Sequence, residues 1–309
     1  FKAVEGLARF ALKTGIAVNK LFGKKAMTIL TKGIKKLVSS MPVWSTQINY
    51  PPNLSMLKRR TEISNASLKN TIVYFPSCIS RMLGTYKGKE KNVLETFTSI
   101  CSKSGIQIII PENIKGSCCT QIFSSKGFKN ACEFTANNIV EKLWKSSSEG
   151  VFPIVIDVSS CAYTLQHLRP SLNEVNKKIF DQLTILDSVD FLHDMVLPGA
   201  IVKQKKSNIV LHPVCSLEKM KTGNKFIKVA NHFANEVTVP KYAGCCGMAG
   251  DRGFLFPELT AAATLPEALE VNEKKYNGYY SSTKTCEMAM SESVKENYES
   301  ILYLVDEAL

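Results

Sequence analysis

Eight of the ten cysteines fall into two similar sets. Cys78, Cys118, Cys119 and Cys161 are separated by 39 and 41 residues around an adjacent pair; Cys215, Cys245, Cys246 and Cys286 repeat the pattern with 29 and 39. Four thiolates are the usual protein complement of an iron–sulfur cluster and also of a structural zinc. Adjacent cysteines rarely bond to each other, because the ring through one peptide bond is strained, but they can bind neighbouring irons. Zinc usually takes C-x2-C knuckles from a short loop, and the sequence has none. The ligands come from distant segments, so the fold must assemble each site. A disulfide framework is disfavoured in a chain this long with no visible secretory segment. Cys101 follows Leu94, Phe97 and Ile100 at helical spacing, and Cys132 lies on a similar stripe with Phe128 and Ile139; both read as core.

Other candidates cluster around these sets. His212, three residues before Cys215, reads equally as ligand or proton carrier and as a packed histidine. His193 reads as oriented by packing. Asp251 and Arg252 follow Cys246 closely; they read as an ion pair that shapes the loop or tunes the site through charge. Arg252 as a carboxylate anchor is the lesser reading, and Glu287 reads as a helix-start acid. There is no Gly-rich phosphate loop, and no self-contained site for hydride or acyl chemistry.

The elements that must position these residues alternate. Strands are expected at 71–75, 106–110 and 153–158, with helices at 91–104 and 127–145 between them. The second half repeats the theme with strands at 208–212 and 236–240. Its helices are expected at 222–234, 258–272 (broken or kinked at Pro266) and 287–296. This predicts an α/β chain of two pseudo-repeated halves, with mostly parallel sheets and covering helices. Corresponding cysteines lie 125 to 137 residues apart. Cys78, Cys161 and Cys215 follow strands, and open α/β sheets build sites at the carboxyl ends of strands.

The net charge of +12 is concentrated in residues 1–60, which hold 12 Lys/Arg against the single acid Glu5. The remainder is near neutral and does not read as a nucleic-acid binder. Residues 1–40 read as a helical basic arm. Val18, Leu21 and Phe22 form one apolar stripe and Leu30, Ile34, Leu37 and Val38 another, with Lys24, Lys25, Lys32, Lys35 and Lys36 on the polar face. The arm reads either as packed on its own protein or as facing an anionic membrane surface or a partner domain. Residues 41–70 read as an extended connector, 71–200 as the first half and 201–309 as the second. No apolar run approaches the roughly 18 residues of a membrane span. The chain starts with Phe, which reads as part of a longer polypeptide.

Five segments carry a resemblance: Val73-Tyr74-Phe75-Pro76-Ser77-Cys78, Gly116-Ser117-Cys118-Cys119, Leu211-His212-Pro213-Val214-Cys215-Ser216, Gly244-Cys245-Cys246-Gly247 and Ala249-Gly250-Asp251-Arg252-Gly253. They resemble the cysteine-rich CCG domains of heterodisulfide reductases, of glycolate oxidase and lactate-utilisation iron–sulfur proteins, and of FAD-linked D-lactate dehydrogenases. The phrases FPSC, AGDRG and SSTKTCE look most like the last group. The likeness is close over 71–309 and weaker over 1–50. It implies the C-terminal part of an oxidoreductase that oxidises D-lactate or a similar 2-hydroxy acid at FAD, with the flavin bound elsewhere in the parent polypeptide.

On that resemblance all eight thiols, Cys78, Cys118, Cys119, Cys161, Cys215, Cys245, Cys246 and Cys286, hold iron–sulfur clusters. The partners would be the flavin and ferredoxin-like domains of the same enzyme and a quinone or cytochrome acceptor. The setting would be cytoplasmic or peripheral on the inner membrane face through 1–40. Two departures matter. The CCG domains of heterodisulfide reductase carry a fifth Cys per site, as C-x2-C, which is absent here. Thr120 also stands where the family motif has Gly. A [4Fe–4S] cubane, a smaller cluster or zinc therefore stays open. The alternatives are a structural zinc or docking domain and a thiol–disulfide redox domain, which needs an exposed low-pKa thiol.

Overall fold

The computed structural model describes residues 2–58 and 70–309. The basic arm forms α1 (Lys2–Phe22) and α2 (Ala26–Lys35). The first half then runs β1 (Thr71–Phe75), α3 (Cys78–Leu83), α4 (Val93–Lys103), β2 (Gln107–Ile109), α5 (Gln121–Ser124), α6 (Lys129–Ser146), β3 (Ile154–Ile156), α7 (Ser159–Gln166), α8 (Glu174–Phe180), β4 (Ile185–Asp187) and α9 (Ser188–Phe191). The second half runs β5 (Lys206–Leu211), α10 (Cys215–Met220), α11 (Gly223–Phe233), β6 (Ala234–Thr238), α12 (Arg252–Leu255), α13 (Pro257–Val271), β7 (Gly278–Ser281), α14 (Lys284–Val294), β8 (Tyr298–Ser300) and α15 (Ile301–Ala308). The part of the expected connector at 59–69 lies outside the described residues.

Two four-stranded sheets result, and every pairing in them is parallel. Their strand orders are β2-β1-β3-β4 and β6-β5-β7-β8. The internal duplication expected from the cysteine spacing is thus a duplication of topology. Strand alternation explains how the sheets pack, because successive side chains point to opposite faces. Ile72, Tyr74 and Val155 face a core shared with Ile209, Leu211 and Tyr280 of the second sheet. Val73, Phe75, Ile154 and Ile156 face a separate core under α6 and α7. Val210 and Tyr279 face a third, with Val271 and Met290.

Local chemistry sets the helices. Asn92 caps α4, accepting from the Leu94 and Glu95 N–H groups, while the Glu95 carboxylate accepts from the Asn92 N–H. Val93, Leu94, Phe97, Ile100 and Cys101 form its buried stripe. Cys101 and Cys132 are buried, as their spacing predicts. Of the break or kink expected at Pro266, the break does not occur: α13 continues through it. The carbonyl that Pro266 leaves without a donor belongs to Ala262, which is exposed and open to water, while Thr264, Glu267, Ala268 and Val271 hold the inner face.

The arm also packs differently from its apolar pattern. Leu21, Phe22 and Leu37 are 78%, 77% and 90% exposed. What the arm buries is Glu5, Gly15 and Thr31. Gly15 is required because a Cβ there would come within 2.4 Å of the Trp44 ring. No described helix is long and apolar enough to cross a membrane.

Candidate metal centres

Each ligand segment follows a strand. Cys78 is the first residue of α3, after β1, and Cys215 is the first of α10, after β5. Cys161 is the third residue of α7, after β3, and Cys286 is the third of α14, after β7. The adjacent pairs sit in the loops that follow β2 and β6. Helix starts present free N–H groups and a positive dipole end, which favour thiolate.

The first set is assembled by buried polar anchors. Asp157, at the end of β3, accepts from the Tyr74 hydroxyl at 2.8 Å and from the Ser77 N–H at 2.9 Å, which ties the turn before Cys78 to the strand that leads to Cys161. Arg81, fully buried, donates to the Pro76 and Ser117 carbonyls and to both oxygens of Glu5 on α1. Glu5 also accepts from the Gly116 N–H at 2.7 Å. Gly116 has φ +84°, and a Cβ there would come within 2.7 Å of the Lys2 backbone. The arm's lone acid therefore clamps the Cys118-Cys119 loop. Sequence patterning missed this role, because Glu5 reads only as the exception to a basic run.

Thiol contacts link Cys78 to Cys118, Cys118 to Cys119 and Cys119 to Cys161. The Cys118 contact and burial push the Cys78 thiol well up, and the Cys119 contact pushes Cys118 up to about 12. At Cys161 the Cys119 contact lowers the thiol, but burial together with Cys78, Cys118 and Asp157 raises it overall. All four line an apolar cavity of about 430 Å³, walled by Ala8, Ala11 and Leu12 of α1 and by Trp44. Asp251, Phe254, Thr283 and Thr285 of the second half complete the wall. The two sites therefore share a seam, which a Ser159 N–H bond to the Ser282 carbonyl and a 2.8 Å bond between their hydroxyls close.

In the second set Cys246 and Cys286 are buried, while Cys215 and Cys245 are exposed. The Cys246 and Cys286 sulfurs lie 2.8 Å apart. That contact, with His212 and the Met248 N–H, holds Cys246 below the usual thiol range, and it pushes Cys286 up. His212, fully buried, has Nδ1 at 2.9 and 2.8 Å from the two oxygens of buried Glu267 on α13. Burial lowers its pKa, but Cys246 and Glu267 outweigh that and lift it to about 9. Its Nε2 has no hydrogen-bond partner. The ligand atoms of His212, Cys246 and Cys286 all lie within 4.8 Å of one another. Glu267 had no sequence signal: it lies 55 residues from His212, behind a helix-breaking Pro266.

The other candidates go elsewhere. His193 binds Asp194, at 2.6 Å. Asp251 pairs with Lys126 at 2.6 Å, so the expected pair with Arg252 is replaced by a bridge between the halves. Glu287 lies in the first turn of α14, as expected of a helix-start acid, but it is buried and accepts from the Tyr86 hydroxyl. Burial lifts its pKa to about 7.

The residues present fit a thiophilic metal group. All eight thiols are free, and the donors are soft. Thr120 Oγ1 and His212 Nε2 are buried polar atoms beside the two sets without partners. The first set is strung around an opening, which suits a polynuclear cluster that keeps its terminal sulfurs apart. The second is compact at Cys246, Cys286 and His212.

Fold and site together define a cysteine-rich α/β protein with two thiol sites. Residues 72–166 match the model of the cysteine-rich domain family CCG. Over 257 residues the chain is 21% identical to the subunit designated C of the anaerobic glycerol-3-phosphate dehydrogenase of Escherichia coli strain K12, and equally to that of strain O157:H7. The match covers 81% of this chain and 62% of each relative.

Proposed function

We propose that the chain is an iron–sulfur electron-transfer module of a dehydrogenase. The observation that supports this is the placing of eight free thiols, four in each half, in segments that follow equivalent strands of two sheets with the same strand order. Cys78, Cys118, Cys119 and Cys161 would hold one centre, and the thiolate ligands of the other would be drawn from Cys215, Cys245, Cys246 and Cys286. Bound clusters supply one-electron chemistry. The protein supplies the thiolates, the burial and the shared seam that keeps the two centres close.

The likeness to part of a glycerol-3-phosphate dehydrogenase supports a parent enzyme with a separate substrate-oxidising part. Within that class, the AGDRG and SSTKTCE phrases support oxidation of D-lactate or a related 2-hydroxy acid at FAD. The partners would be flavin and ferredoxin-like domains. The apolar cavity beside the first set supports a quinone acceptor over a polar one. Exposed Leu21, Phe22, Ile29, Leu30 and Leu37 among lysines support a peripheral place for the arm on an anionic membrane face. A test is to replace Cys119 and Cys161 by Ser in the full enzyme. Loss of iron and of acceptor reduction, with flavin reduction by substrate retained, is expected. Unchanged iron and unchanged acceptor reduction would sink the proposal.

The buried His212–Glu267 pair favours one second reading, in which the Cys246–Cys286 site holds a single structural ion such as zinc.

A further inference from the structure

We propose that His212 is itself a metal ligand, so that the second centre is a mixed imidazole–thiolate site. His212, Cys246 and Cys286 form it, with one of the exposed thiols Cys215 or Cys245 as the fourth ligand. The inference rests on the reading of the second thiol set as a metal centre. It does not depend on which metal that is, or on the parent enzyme.

Three observations carry it. First, His212 is oriented as metal-bound histidines are. Its Nδ1 faces a buried carboxylate, Glu267, at 2.8 and 2.9 Å, which fixes the ring and leaves Nε2 as the free donor atom. Second, that Nε2 is buried and makes no geometric hydrogen bond among the described residues, and the neighbouring ligand atoms within 4.8 Å of His212 are the thiols of Cys246, which bears on its charge, and Cys286. An unpaired polar atom in a dry interior costs on the order of 1–3 kcal/mol, and a bound metal removes that cost. Third, the spacing suits coordination. With metal–sulfur bonds of about 2.3 Å and metal–nitrogen bonds of about 2.0 Å, ligand atoms of a tetrahedral site stand roughly 3.5–4 Å apart. The three ligand atoms here lie within 4.8 Å of one another.

The first half shows that this is a feature of the second site alone. Counting back three residues from the first cysteine of each set gives His212 before Cys215 but Phe75 before Cys78. Phe75 is core. The two centres therefore differ in donor set: sulfur only in the first, sulfur and nitrogen in the second. Replacing thiolate by imidazole removes negative charge from a centre, as in Rieske clusters, and raises its potential. In an electron chain the second centre would then be the more oxidising of the two.

The test loads the full chain, labelled with 15N-histidine and stripped with a chelator under reducing anaerobic conditions, with cobalt(II) alone. Pulsed EPR is expected to show coupling to a directly bonded histidine nitrogen. The coupling should vanish in His212→Phe, which copies the first half, while thiolate-to-cobalt absorption persists. It should survive Cys161→Ser, which damages only the first set. Glu267→Gln keeps the ring in place and is expected to weaken cobalt affinity about 10- to 100-fold. This variant decides the matter if His212→Phe does not fold, since an unchanged affinity would count against ligation. Sulfur-only cobalt binding in the native chain, or nitrogen coupling that survives His212→Phe, would overturn the proposal while leaving the thiol sites standing. A chain that binds no cobalt at all would overturn both.

Discussion

Glu5, the only acid among the first 60 residues, forms a two-point ion pair with Arg81, at 3.0 and 2.7 Å, and both side chains are buried. The pair joins the arm to the helix that begins with Cys78 and to the loop that carries Cys118 and Cys119. Breaking a buried pair from one side leaves an uncompensated charge and costs about 3–5 kcal/mol. Arg81→Met is therefore expected to destabilise the chain by that order and to loosen the first set, and Glu5→Gln to cost a similar amount, because it leaves the buried Arg81 cation unpaired and turns an amide N–H toward an Arg81 N–H. Denaturant unfolding and metal content of the two variants check this. Equal stability of Arg81→Met and the native chain would remove the clamp from the account.

The same pair predicts acid sensitivity. Burial raises the Glu5 pKa, but the Arg81 bonds outweigh it and hold the carboxyl below its ordinary 4.5. A depressed carboxylate contributes stability above its unfolded pKa and loses it as pH falls through the folded one. The stability difference between the native chain and Glu5→Gln should thus shrink as pH drops below about 4.5. Unfolding curves across that range read it directly, and a pH-independent difference would contradict it.

Thr120 and Gly247 follow the second cysteine of their pairs and share one backbone conformation, with φ +76° and +74°. For a β-branched residue that conformation costs roughly 1–2 kcal/mol. Thr120→Gly is expected to stabilise by about 1 kcal/mol, visible as a rise of roughly 2 °C in Tm. Gly247→Ala should destabilise, because its Cβ would also come within 2.9 Å of the Thr260 backbone. A destabilised Thr120→Gly would show that the hydroxyl matters more than the strain.

Asp187 caps α9 through the Val189 N–H at 2.6 Å, and burial pushes its carboxyl from 3.8 up to about 7. A raised carboxyl favours the folded state below its unfolded pKa and loses that contribution as pH rises through the folded value. Asp187→Asn keeps the cap without the charge. Its stability should gain on the native chain between about pH 4 and 7, by roughly 2–4 kcal/mol in all, and then stay level. A parallel pH profile for the two proteins would refute the assignment.

Much of this was legible in the chain. Alternating apolar runs gave β1, β2, β3, β5 and β6, and repeated cysteine spacing gave the duplication. What stayed hidden has physical reasons. The strands β4, β7 and β8 are Ile-Leu-Asp, Gly-Tyr-Tyr-Ser and Tyr-Glu-Ser, with no long apolar run of their own, whereas the equally short β2 and β3 lie inside the longer, largely apolar runs 106–110 and 153–158. The arm's contact face was masked because a carboxylate, a glycine and a threonine are its buried residues while Leu7, Leu21, Leu30 and Leu37 stay exposed. The His212–Glu267 pair joins residues far apart in sequence, and Pro266 argued against the helix that presents Glu267. The sets themselves could be proposed from spacing; their different depths, with no exposed thiol in the first half and two in the second, could not.

The most direct test of the central claim is the iron, acid-labile sulfide and zinc content of anaerobically purified chain, native and Cys161→Ser. The account predicts iron with matching sulfide, about four of each for a filled first site, and loss of that share in Cys161→Ser. Zinc without sulfide, or iron unchanged by Cys161→Ser, would contradict it.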